Sequence, residues 1–137
     1  MRITIKLFLF IILVVCFSCE EQGLFVDCRD CTASEPSDTY LEINLDMNFQ
    51  TGETLVKIYE GNLEDSILYK TRQVSGLYTT VTVLTNKKYT VTATYYIPGN
   101  YYIVVDSATP RVKWEKRQCD DPCYYVYDRV VDLRLNY

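Results

Sequence analysis

An all-β fold is predicted for this chain by three observations: strict alternation of apolar and polar residues, turn residues at regular spacing, and the absence of any window with helical periodicity. Seven or eight short strands fit between Tyr40 and Tyr137, and an antiparallel β-sandwich is the architecture that buries one face of each. Leu41, Ile43, Leu45, Met47 and Phe49 alternate with Glu42, Asn44, Asp46 and Asn48, which describes a first strand with one wet face. Thr51-Gly52 breaks the run, and Val56 and Ile58 mark a second strand ended by Gly61-Asn62. A third covers Ile67 to Val74 and stops at Ser75-Gly76.

The middle of the chain is rich in Tyr, Thr and Val, the residues that fit a pleated, half-buried surface. Leu77 to Thr85, Tyr89 to Ile97 and Tyr101 to Val105 read as a meander, interrupted by Asn86-Lys87-Lys88 and Pro98-Gly99-Asn100. A three-residue loop at 98–100 would place Ile97 opposite Tyr101, Tyr95 opposite Ile103 and Ala93 opposite Val105, with Asn100 left-handed. Burial of that single apolar row favours this register over a two-residue loop. The same register makes Tyr96 and Tyr102 an outward cross-strand pair. Arg111 to Gln118 and Tyr124 to Tyr137 complete the set. Strand number and spacing resemble immunoglobulin-like and transthyretin-like modules.

Ahead of this pattern stand two other segments. Arg2 and Lys6 precede an unbroken apolar run from Leu7 to Val15, closed by Phe17-Ser18-Cys19 and followed by Glu20-Glu21. A positive start, a short greasy stretch and a small residue make a secretory signal over residues 1–18. The run is too short for the roughly 20 apolar residues of a membrane span. The segment before Cys19 resembles a bacterial lipobox, although Cys16 and Phe17 stand where Leu or Val and a small residue are usual. The resemblance implies that Cys19 is acylated and becomes the first residue, anchoring the domain to a membrane through several chains. Residues 19–39 then form a polar tether, and 40–137 the β-sandwich domain.

Charge and composition exclude several classes. The chain carries 14 basic and 18 acidic residues, and loss of Arg2 and Lys6 makes the mature part more acidic still. Nucleic acid is thereby excluded as a partner, because its affinity comes from phosphates neutralised by Lys and Arg. The basic cluster from Arg111 to Arg117 reads as a solvated strand face. Histidine is absent, which removes catalytic triads, His acid–base pairs and His metal sites. Glu64-Asp65 and Asp120-Asp121 are paired acids in predicted turns, where exposed carboxylates are the ordinary occupants. Neither the facing carboxylates of a glycosidase nor the spacing of a calcium loop is present. No catalytic residue, metal or other cofactor is therefore expected, and the protein is not read as an enzyme.

Six cysteines are present. With Cys16 in the leader and Cys19 lipidated, Cys28, Cys31, Cys119 and Cys123 remain, an even number in an exported domain. A four-cysteine zinc site and a thioredoxin-like redox pair are the alternatives; the wider second spacing and the missing βαβ pattern speak against them. Three disulfide pairings are open. Closing a loop of about 90 residues contributes about 4.6 kcal/mol in the chain-entropy model, against about 1.9 for a four-residue loop, so links between the two pairs are favoured.

Thirteen tyrosines are the remaining unusual feature. Most suit a sheet with one apolar and one wet side. Outward aromatics stack on sugars or anchor protein partners, so Tyr96, Tyr102 and Trp114 are the candidate binding residues. Cys19-Glu20-Glu21, the cysteine pair before the first strand, Cys119-Asp120-Asp121-Pro122-Cys123-Tyr124 and the aromatic C-terminus are together similar to small outer-membrane lipoproteins of the Bacteroidota. Their acidic residues after the lipidated cysteine mark export to the cell surface. The resemblance implies an outer-membrane, lipid-anchored accessory or docking module, with another envelope protein such as a TonB-dependent transporter as partner. A carbohydrate-binding module recognising glycan is the second expectation.

Overall fold

The structure, a computed structural model, describes residues 26–48 and 52–135. The leader, Cys19 and the strand ends expected at Phe49 and Tyr137 lie outside the described residues. Within them the fold is all-β. The strands are β1 (Asp38–Asn44), β2 (Thr54–Glu60), β3 (Leu68–Val74), β4 (Tyr78–Leu84), β5 (Tyr89–Ile97), β6 (Asn100–Ala108), β7 (Arg111–Glu115), β8 (Cys123–Tyr127) and β9 (Val130–Asp132). The final segment, expected to be one strand, is divided at Asp128, which takes a left-handed conformation with φ of 55°. Asp tolerates that conformation better than most residues, and the kink lets β9 leave β8 for another sheet.

Two sheets enclose the core. One has the order β4-β1-β9, the other β3-β2-β5-β6. β9 runs parallel to β1, and the other pairings are antiparallel. The alternation read from the sequence sets which face is buried. Leu41 and Ile43 of β1, Val81 and Val83 of β4, and Val131 and Leu133 at β9 meet Val56 and Ile58 of β2 and Tyr89, Val91, Ala93 and Tyr95 of β5. Met47, by contrast, is exposed, so the inward row of the first strand ends at Leu45.

The two sheets are also joined by tyrosine hydroxyls. Tyr95 reaches across the core to accept the Asp46 N–H (3.0 Å) and donate to the Leu133 carbonyl (2.8 Å). Tyr89 accepts the Leu84 N–H at 3.1 Å. A buried phenol needs such a partner, and here each satisfies a backbone group of the facing sheet that strand pairing leaves open. Burial pushes the pKa of both hydroxyls up.

β7 and β8 form a separate two-stranded sheet. The segment from Val26 to Thr32 lies beside it: Thr32 and Tyr124 exchange backbone hydrogen bonds of 2.9 and 2.8 Å. Disulfides Cys28–Cys119 and Cys31–Cys123 fasten that segment to the connection between β7 and β8 and to the first residue of β8. Both are links between the two cysteine pairs, as the entropic argument favoured, and their Cα separations of 5.7 and 5.4 Å are ordinary for such bonds.

Candidate functional site

The meander register differs from the sequence expectation, and the difference moves the candidate surface. Ile97 pairs with Asn100, Tyr96 with Tyr101, Tyr95 with Tyr102 and Ala93 with Val104. The turn therefore has two residues, Pro98 and Gly99, with Gly99 left-handed at φ 93°. Pro followed by Gly is the signature of a tight turn: Pro fixes its own φ, and Gly alone takes the positive φ without steric cost. That local preference outweighs the burial of one apolar row, which had favoured the longer loop.

The consequence is a row of apolar side chains facing outward. Tyr101, Ile103 and Val105 stand opposite Tyr96, Thr94 and Thr92 on the outer face of the four-stranded sheet. They are 73%, 65% and 47% exposed. Tyr102 shares the inner side with buried Tyr95 but lies at the sheet margin, half-covered. Tyr96 and Tyr102 are thus not an outward cross-strand pair; the ring beside Tyr96 is Tyr101, edge-on at 4.9 Å between centroids. Trp114 lies apart on β7, partly exposed and packed on Tyr124 at 4.5 Å. The structure does not bring the three candidate aromatics onto one surface.

β6 is also the edge of its sheet among the described residues. Natural edges are commonly blunted by Lys, Arg or Pro. The opposite edge, β3, carries Lys70 and Arg72 in this way. β6 has no basic residue and no proline. Its one charge, Asp106, is used internally, accepting the Asp132 N–H at 2.8 Å and so tying β6 to β9.

At the end of the same face, Tyr96 and Tyr101 border a hollow of about 240 Å³. Strand pairing aligns Gln73, Leu55 and Thr94 in one row of its floor, across β3, β2 and β5. Asn48 and Glu53 close it from the β1–β2 connection. The Asn48 side chain is almost wholly buried, and its Nδ2 donates to the Glu53 carbonyl at 3.0 Å. Its Oδ1 has no hydrogen-bond partner among the described residues. Alternation put Asn48 on the wet face of the first strand, but β1 ends at Asn44 and the side chain turns inward; Glu53 and Gln73 carry no signal in the sequence. Only their arrival beside an aromatic pair, which depends on the register, distinguishes them.

The cysteines border a second open hollow, together with Asp120, Asp121 and Pro122. The sulfurs of Cys31, Cys119 and Cys123 lie within 4.8 Å of one another. A zinc site built from four cysteines requires thiolates, whereas all four sulfurs here are engaged as disulfides. Asp120 and Asp121 are exposed, and Asp65 accepts the Asn62 N–H at 3.1 Å as a turn cap. The notable acid is Glu115, buried at the end of β7. Its Oε1 accepts the N–H groups of Arg117 (2.6 Å), Lys116 (2.9 Å) and Gln118 (3.2 Å), which hold the carboxyl below its usual pKa. This nest folds the loop that presents Cys119.

Compared with protein-family models, with curated proteins and with solved structures, the chain shows no match.

Proposed function

We propose that the protein is a non-catalytic accessory or docking module of a cell-envelope complex, held at the outer membrane by lipid on Cys19. The observation that carries the docking part is the edge strand β6, which has no Lys, Arg or Pro, with Tyr101, Ile103 and Val105 exposed in a row. A partner that adds a strand to β6 would pair its open backbone groups and cover those side chains together. The leader and the acidic pair after Cys19 support placement at the envelope, where a TonB-dependent transporter is the partner in view. The finer fold reading, immunoglobulin-like or transthyretin-like, belongs to the same proposal.

The test is purification of the complex from native membranes with Ile103→Asp beside the unaltered protein. Because Ile103 is exposed, the variant should fold normally and lose the envelope protein that co-purifies with the parent. Recovery of the same partner in equal yield would remove β6 as the docking edge. A carbohydrate-binding module is the second reading, favoured by the polar hollow onto which Tyr96 and Tyr101 open.

A further inference from the structure

We infer that the hollow at the Tyr96–Tyr101 end of the four-stranded sheet is a subsite for one ring of a neutral saccharide. The inference rests on the second reading above, not on docking at β6, and gives that reading its residues and ligand class.

A pyranose ring has an apolar C–H face and a rim of hydroxyls, so its site needs an aromatic surface beside paired hydrogen-bond donors and acceptors. The hollow supplies both. Tyr101 projects from the sheet and is backed edge-on by Tyr96, which steadies it as a stacking surface. Gln73 offers an amide with donors and an acceptor, and Thr94 a hydroxyl. Asn48 shapes the wall: its Nδ2 bond to the Glu53 carbonyl fixes the amide beside the hollow.

Size and charge narrow the class. A hollow of about 240 Å³ lies below the range of pockets that enclose drug-sized molecules, so it holds one ring and leaves the rest of a chain outside. Among the described residues its lining has one carboxylate, Glu53, and no basic group, which disfavours uronic acids and other anionic sugars. Gln73, Thr94, Tyr96 and Tyr101 stand on β3, β5 and β6 of one sheet in fixed register, giving a preformed site.

The experiment uses the full-length protein purified from membranes in detergent, titrated with maltohexaose, cellohexaose, mannohexaose and hexagalacturonate. Binding is followed by saturation-transfer NMR. At least one neutral oligosaccharide should bind saturably, and Gln73→Ala and Tyr101→Ala should each weaken it by about tenfold or more. Both positions are exposed, and thermal melts verify that the variants fold. Ile103→Asp, outside the hollow, should leave sugar binding intact while removing the envelope partner, so the two readings fail separately. The inference is overturned if no neutral oligosaccharide binds at about 10 mM, if both hollow variants bind like the parent, or if hexagalacturonate is preferred.

Discussion

Single side chains stitch this sandwich together where strand pairing ends. Tyr95 satisfies a donor at Asp46 and an acceptor at Leu133, both on the facing sheet, from a position fully inside the core. Tyr95→Phe keeps the ring and removes only the hydroxyl, leaving the part-buried Asp46 N–H and the buried Leu133 carbonyl unpaired. Its denaturant midpoint should fall by the equivalent of about 1–3 kcal/mol; an unchanged midpoint would show that water replaces the hydroxyl. The pH dependence follows from the same burial. The folded-state pKa values of Tyr89 and Tyr95 are raised above the unfolded ones. Their contribution is therefore complete below about pH 10 and lost as pH rises through the folded values. Alkaline unfolding monitored by tyrosinate absorbance should start above about pH 10 and show both phenols ionising with the transition. Glu115 has the opposite sign. Its pKa is lowered by the backbone N–H groups of 116–118, so its contribution is present above the unfolded carboxylate value and disappears on acidification through the folded one. Glu115→Gln should lower the melting temperature at neutral pH and make no difference in strong acid.

Element by element, the sequence was legible where period and turn chemistry agreed. At β1, β2 and β5 the alternation put Leu41, Ile43, Leu45, Val56, Ile58, Ala93 and Tyr95 inward, as the structure does, and failed at Met47, beyond the end of β1. The cysteine pairs, read as staples rather than local rings, join across the whole domain. Legibility failed at the β5–β6 turn, where two rules conflicted. Burial argued for putting Tyr101, Ile103 and Val105 inside; Pro98-Gly99 argued for a two-residue turn that puts them outside. Every side chain of a strand changes face with a one-residue shift, so the binding row went with the turn, and with it Tyr102 as a candidate. The break at Asp128 escaped for a similar reason: alternation continues through it, while the backbone turns there to send β9 beside β1. Insertion of one glycine between Gly99 and Asn100 tests the register directly. The longer loop should drive Tyr101 and Ile103 toward the core and lower stability, detectable as a reduced denaturant midpoint. A variant as stable as the parent would mean that the edge strand tolerates either face inward.

At the scale of the whole molecule, the sandwich and the β7–β8 hairpin are held by different forces. The sandwich has a continuous apolar core shared by β1, β2, β4, β5 and β9. The hairpin pairs with neither large sheet, and an isolated two-stranded hairpin is marginal in water. Much of its support is covalent: Cys28–Cys119 and Cys31–Cys123 tie its connecting loop and the start of β8 to the segment ahead of β1, with Thr32 and Tyr124 paired between them and the Val112 N–H donating to Asn86 Oδ1 at 3.2 Å. Loss of a native disulfide from a small domain typically costs about 2–5 kcal/mol, and here that loss should fall unevenly. After reduction and alkylation, amides of β7 and β8 should exchange with solvent within the earliest time points, while those of β2 and β5 stay protected. The hollow beside Tyr101 lies on the sheet that keeps its core, so oligosaccharide binding should survive reduction. Simultaneous loss of protection in all strands would instead show that the staples hold the entire fold, and that hairpin and sandwich unfold as one unit.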